Sequence, residues 1–140
     1  MVIEHVAFQH PDPVAAADWY GRILGLSVVR ASNGAAQARF LADSQGRTVL
    51  EIYNAAAAPM PDYPALSPLV LHVAFTSADV SADVGRLVAS GASLVDAPAV
   101  ASPSGDELAM LRDPWGIPIQ LVRRSSPLIG KSPQGNPSTK

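Results

Sequence analysis

Cysteine is absent from this chain of 140 residues. That lack excludes disulfides, thiolate metal sites and cysteine nucleophiles together. Any metal centre must then be built from imidazole nitrogen and oxygen donors, which disfavours a closed structural zinc site. Charge is also sparse: 10 Lys and Arg against 12 Asp and Glu give a net charge of −2, and no basic run occurs. Neither nucleic acid nor an anionic membrane surface is therefore an expected partner. No apolar run approaches the ~20 residues that cross a bilayer. The N-terminus enters a strand pattern without a basic leader or long apolar stretch, so no signal peptide is expected. A soluble cytoplasmic protein is the default expectation.

What is present is a repeat. The residues His-Val-Ala-Phe occur at 5–8 and again at 72–75, displaced by 67 positions. Each copy lies in a short apolar run that reads as a strand. A half-chain of about 65 residues buries too little surface to stand comfortably alone, so two repeats are expected to share one fold.

The first half reads as strand, helix and three strands. Residues 2–9 alternate and are rich in Val, Ile and Phe. Asp12 offers an N-cap with Pro13 at the first helical position, and a helix over 14–24 ends at Gly25. Strands are predicted over 26–30, 36–41 and 47–53, separated by Ser32, Asn33 and Gly34 and by the segment 43–46. The second half repeats this order. A strand over 69–76 precedes a helix over 80–90, with Ser77 or Asp79 as its cap. Gly91 closes that helix 66 positions after Gly25. Strands over 93–97, 106–111 and 117–122 follow, the last two joined by the turn of Asp113, Pro114, Trp115 and Gly116.

The expected fold is α+β, with two tandem βαβββ modules forming a concave cleft of mixed sheet. One domain spans residues 1–124: module 1 over 1–54, a linker over 55–68 and module 2 over 69–124. The segment 54–68 holds five alanines and four prolines, a stiff connection with little side-chain substance. Residues 125–140 are rich in Ser, Pro, Gly and Lys and read as a mobile tail.

Alternation along a strand assigns faces. His5, Ala7 and Gln9 share one face, opposite Val6 and Phe8. His72, Ala74 and Thr76 share the matching face in the second half. Glu51 points away from Leu50 and Ile52, and Gln120 points away from Ile119 and Leu121. Glu51 and Gln120 are 69 positions apart, close to the spacing of the histidines. Each half thus supplies one imidazole and one side-chain oxygen. Two nitrogens and two oxygens suit a divalent ion such as Zn, Ni, Fe, Mn or Co, with positions left for water or substrate. Singly, each residue has a plainer reading: a strand histidine is usually a surface or core group, and Glu51 can pair with Arg39 or Arg47 across the sheet. His10, before Pro11 at a strand exit, reads as a loop residue.

The duplicated pattern with His5, Glu51, His72 and Gln120 resembles the vicinal oxygen chelate superfamily. Its members include glyoxalase I, methylmalonyl-CoA epimerase, extradiol ring-cleaving dioxygenases and the fosfomycin- and bleomycin-resistance proteins. The segment from Asp18, Trp19 and Tyr20 through Ile23, Leu24, Gly25 and Leu26 carries the same resemblance, as does the turn of Asp113–Gly116.

The resemblance implies one divalent metal ion held by His5, Glu51, His72 and Gln120. It also implies a small substrate chelated through two neighbouring oxygens, and a homodimer. Gln120 stands where glyoxalase I normally has glutamate, and an amide cannot accept a proton at neutral pH. Glu51 is then the catalytic base, for an isomerase or lyase type of proton shift through a metal-bound enediolate. Gln9 stands where the bacterial glyoxalases that grip glutathione have arginine, so the resemblance leaves glutathione dependence open. Gln9, Gln37, Arg39 and Tyr53 are the candidate substrate-binding residues, with Trp115 as a second stacking surface.

Two alternatives accompany this reading. One is a non-haem iron ring-cleaving dioxygenase using His5, His72 and Glu51, with Tyr53 or His10 behind them. The other is a bleomycin-resistance-like protein that binds a drug without chemistry.

Overall fold

The computed structural model describes residues 2–47, 49–101 and 103–128. The chain divides into two compact units, Met1–Leu66 and Ser67–Lys140. Each is a βαβββ module with one four-stranded mixed sheet, so the architecture is α+β and duplicated.

Unit 1 contains β1 (Val6–Gln9), α1 (Pro13–Trp19), β2 (Ser27–Ala31), β3 (Arg39–Ala42) and β4 (Val49–Tyr53). Asp12 caps α1 by accepting from Ala15 N at 3.0 Å, and Pro13 needs no donor at the first turn. The helix predicted over 14–24 closes early as an α-helix. Tyr20–Leu24 widens into a π turn, which Gly25 ends in the left-handed region at φ +74° with its N–H on Tyr20 O.

The sheet order is β1-β4-β3-β2, with β1 parallel to β4 and the other pairs antiparallel. Phe8, Leu41, Leu50 and Ile52 share one face and are buried, as are Ala16, Ala17 and Trp19 of α1. Small alanines let the helix approach the sheet closely. Burying a side chain such as Leu41 or Ile52 contributes about 1.5–3 kcal/mol. The opposite face carries Ala7, Glu51 and Phe40 in one row, because Ala7 pairs with Glu51 and Glu51 with Phe40.

Unit 2 contains β5 (Val73–Thr76), α2 (Val80–Ala89), β6 (Ser93–Ala101), β7 (Asp106–Arg112) and β8 (Pro118–Arg123), ordered β5-β8-β7-β6. Of the two capping candidates, Asp79 does the work, accepting from Ala82 N at 2.9 Å. Val80, Val84 and Leu87 are buried at helical spacing, and α2 packs on β6, β7 and β8. Asp113 Oδ1 accepts from Trp115 N at 2.9 Å and Ile117 N at 2.8 Å, which fixes the β7–β8 turn.

Both first strands are shorter than alternation predicts. Among the described residues β1 pairs with β4 alone, and its ladder begins at Val6 opposite Leu50, so Val2 and Ile3 stay exposed. Residues 69–71 are turned rather than extended, because Val70 N donates to Ser67 O at 2.9 Å. β6 runs further than expected, to Ala101.

The segment between the modules has more substance than its alanines and prolines suggest. Gln9 is only 7% exposed, and its amide donates to Ala55 O at 2.9 Å and Ala58 O at 3.0 Å while accepting from Ala55 N at 2.8 Å. Tyr63, 1% exposed, donates its hydroxyl to Gln9 O. Residues 55–66 are thus tied to the end of β1 and belong to unit 1. Gln9→Ala removes three part-buried hydrogen bonds, and a loss of about 2 kcal/mol in urea unfolding is expected. Tyr63→Phe should cost about 1 kcal/mol by the same measurement.

The mobility expected of residues 129–140 lies outside the described residues. Ser125, in the first turn of the expected tail, is held: Asp106 accepts from Ser125 N at 2.8 Å, Ser125 Oγ at 3.1 Å and Arg124 at 2.7 Å. The Ser125 backbone N–H, then Arg124, hold the Asp106 carboxyl below its usual range. A depressed carboxylate contributes stability that is complete above the ordinary Asp range and is lost as pH falls through the folded value. Thermal melts from pH 6 down to pH 2 should therefore show a shallower acid loss in Asp106→Asn than in the parent. Superimposable acid limbs would rule this clamp out as a source of acid sensitivity.

Candidate functional site

The parallel pairing of β1 with β4 builds half of the expected donor set. Glu51 lies opposite Ala7, and His5 stands two residues before Ala7 on the same face. His5 Nε2 comes within 3.2 Å of Glu51 Oε2, and the His5 ring meets the Phe40 ring edge-on at 5.5 Å between centroids. Metal–nitrogen and metal–oxygen bonds of about 2.1 Å with this donor separation subtend an angle of about 100° at a shared ion. The pair therefore fits adjacent ligand positions as well as it fits an ion pair.

Glu4 completes the arrangement, and the sequence reading missed it. Its carboxylate binds His5 Nδ1, a contact that fixes which ring nitrogen is turned towards Glu51. Neighbouring strand residues normally point to opposite faces. Residues 4 and 5 lie ahead of the first ladder pair, and only this freedom lets one turn back on the other. The hydrogen bond that the His5 ring donates to Glu4 raises the pKa of His5, desolvation opposes it, and the charges of Glu4 and Glu51 add to the rise. A carboxylate behind a ligating imidazole is a common way to orient it.

Unit 2 holds the matching pair. Ala74 lies opposite Gln120, and His72 stands two residues before Ala74. His72 Nδ1 lies 2.8 Å from Pro68 O, so the backbone carbonyl takes the role that Glu4 has for His5. Each histidine thus has its Nδ1 engaged by a nearby oxygen. Gln120 is half-buried in β8. Among the described residues, no group of three or more His, Cys, Asp and Glu side chains forms a metal-holding cluster. His5 and Glu51 belong to unit 1, and His72 and Gln120 to unit 2.

The candidate substrate-binding residues fare differently. The amide of Gln9 is engaged by Ala55 and Ala58 and is not presented for a ligand. Gln37 is exposed in the β2–β3 turn at φ +48°. Arg39 pairs with Ile52, on the helix-facing side, and its guanidinium donates to Ser32 O at 2.7 Å, Gln37 O at 3.0 Å and Ala38 O at 3.0 Å. It therefore pins a turn and does not pair with Glu51. Tyr53 is half-buried in register with Gln9, two residues beyond Glu51. Trp115 is half-buried in the β7–β8 turn.

His10 is a loop residue by position yet fully buried, with Nδ1 accepting from Asp12 N at 3.0 Å, and it supports the entry to α1. Simple alternation groups Arg30 with Leu26 and Val28, and so conceals it. Its guanidinium carbon lies 5.8 Å from the centroid of the Phe40 ring that also contacts His5.

Comparison with known proteins places this geometry. A profile of the Glyoxalase/Bleomycin resistance protein/Dioxygenase superfamily matches residues 2–121. A glyoxalase family protein from Bacillus cereus is 19% identical, with a TM-score of 0.73, over 89% of this chain and 94% of that one. A glyoxalase family protein from Enterococcus faecalis is 27% identical, with a TM-score of 0.63, over 86% and 96%. An antibiotic binding protein from a Streptomyces species is 25% identical, with a TM-score of 0.62, over 89% and 99%. A search among curated proteins finds no match. With a family match over nearly the whole described chain and the same duplicated fold in its structural relatives, the chain belongs to the glyoxalase/bleomycin resistance protein/dioxygenase superfamily.

Proposed function

We propose that the chain is a metal-dependent enzyme of the glyoxalase type, acting on a small substrate with two neighbouring oxygens. The observation that carries this reading is the His5–Glu51 pair, with donor atoms 3.2 Å apart and the far side of the imidazole held by Glu4. Members of this superfamily commonly bind a divalent metal. His5, Glu51, His72 and Gln120 would hold the ion here, in a homodimer. When bound, the ion supplies Lewis-acid polarisation of the substrate's oxygens.

The chain's own residues divide the remaining work. Glu51 is the one carboxylate of the set and takes a proton from the substrate carbon, returning it to the adjacent carbon. Gln120 donates only its amide oxygen and accepts no proton, so the transfer is a one-base shift. Glu4 and the Pro68 carbonyl keep the two imidazoles turned, so that orientation is not lost between turnovers.

A second reading is supported by the Streptomyces antibiotic binding protein, 25% identical over 99% of its length. On that reading the protein sequesters a drug without chemistry.

Elemental mass spectrometry on untagged protein prepared without chelators separates the two. About one Fe, Mn, Ni, Co or Zn per chain is expected, lost in His5→Ala and in Glu51→Ala and kept in Gln120→Glu. Iron would direct the assay to ring cleavage, nickel or zinc to isomerisation. Protein that takes up none of these ions on dialysis against each would retire the enzyme reading in favour of the drug-binding one, and a His5→Ala/His72→Ala double variant that keeps its metal would overturn the ligand assignment.

A further inference from the structure

β2 does not run straight. Its register against β3 is Ser27 with Ala42 and Val28 with Leu41, then Arg30 with Phe40 and Ala31 with Arg39, with Val29 left over as a bulge. Had the pairing continued without it, Val29 would oppose Phe40 and Arg30 would face the helix with Leu41. A one-residue slip moves a side chain to the other face of a sheet. The bulge makes that move for the paired residues beyond Val29 and brings Arg30 into the row Arg30, Phe40, Glu51, Ala7 that crosses all four strands.

The second module carries the same device. β6 slips between Leu94 and Asp96, which sets Asp96 opposite Met110, Met110 opposite Gln120 and Gln120 opposite Ala74. Arg30 and Asp96 thus occupy matching places, each in the row of its unit's metal-donor candidate. The geometry is duplicated while the charge is reversed, so the bulge belongs to the fold and the arginine is particular to the first module. Bulges that re-aim one side chain are frequent beside functional sites.

The Arg30 guanidinium has no ion-pair partner among the described residues. It lies over Phe40, 5.8 Å from the ring centroid, and the same ring meets His5 at 5.5 Å. Stacking on an aromatic ring restrains the guanidinium and leaves its N–H edge available for a planar carboxylate. Phe40 lies between this cation and the His5–Glu51 pair and offers a flat apolar surface to whatever spans them.

We propose that Arg30 is a specificity-determining residue that binds a carboxylate on the substrate, so that the substrate is a carboxylate-bearing compound whose paired oxygens lie about one aromatic ring away. This inference rests on the His5–Glu51 reading for the position of the paired oxygens. The carboxylate contact itself needs no metal.

Calorimetric titration with two probes tests it: catechol, which has the paired oxygens alone, and 3,4-dihydroxybenzoate, which adds the carboxylate. The parent protein should bind the carboxylate probe tighter by about tenfold or more, as one charge-assisted pair provides. Arg30→Ala should bring the ratio close to one while catechol affinity stays within about twofold, and Arg30→Lys should keep part of the preference. Retained catechol affinity also reports that the variant is folded.

Repeating the titrations after chelator treatment separates this inference from the enzyme reading. The ratio should persist when the affinity contributed by a metal is gone. Equal affinities in the parent, binding of neither probe, or an undiminished ratio in Arg30→Ala each overturns the assignment, whatever the metal analysis gives.

Discussion

The parallel pairing of the first and last strands of each module is the constraint on which the site depends. In a parallel pair, residues in register point the same way, and two strands far apart in sequence become neighbours about 4.8 Å apart. Ala7 opposite Glu51 and Ala74 opposite Gln120 are the outcome. His5 stands two residues ahead of Ala7 and reaches Glu51 from there. The register is itself protected, because a slip of one residue would expose Phe8 and Ile52 and bury Glu51. Core packing thus holds Glu51 beside His5 although neither is part of the core.

Around that constraint, polar side chains take one of two roles. Gln9, Arg39, His10, Asp106 and Asp113 satisfy backbone groups at turns, strand ends and the intermodule segment. Their hydrogen bonds hold loops that have little apolar substance of their own. Glu4, Arg30, Phe40 and Glu51 are arranged around His5 instead, through a contact at each ring nitrogen, an edge-on aromatic contact and a cation over the same aromatic ring. Burial separates the two groups: the first is largely enclosed, whereas the second stays partly accessible.

The repeat was legible because duplication leaves its period in the chain. The recurrence of His-Val-Ala-Phe, the matched glycines after both helices and the alternation of the closing strands sufficed for the α+β fold and for the pairing of His5 with Glu51. Strand lengths were less legible. Residues 2–5 alternate like a strand but have no ladder partner, and residues 69–71 are apolar but turned after Pro68. Alternation records which face a residue prefers and carries no information on whether a neighbour exists to pair with it. The same limit explains Gln9 and Arg39, which periodicity offered as ligand-facing groups and whose partners are backbone carbonyls of the intermodule segment and the β2–β3 turn.

The sequence by itself determined the duplicated module, the helix caps, the apolar faces and the absence of thiolate chemistry, because these follow from local composition and period. Only the tertiary structure decided that Glu4 turns back onto His5, that Gln9 holds residues 55–66, and that one extra residue at Val29 carries Arg30 across the sheet. The physical reason is common to the three. Each depends on where a strand's pairing begins or slips relative to its neighbour, and register is a property of two segments that neither segment's sequence contains.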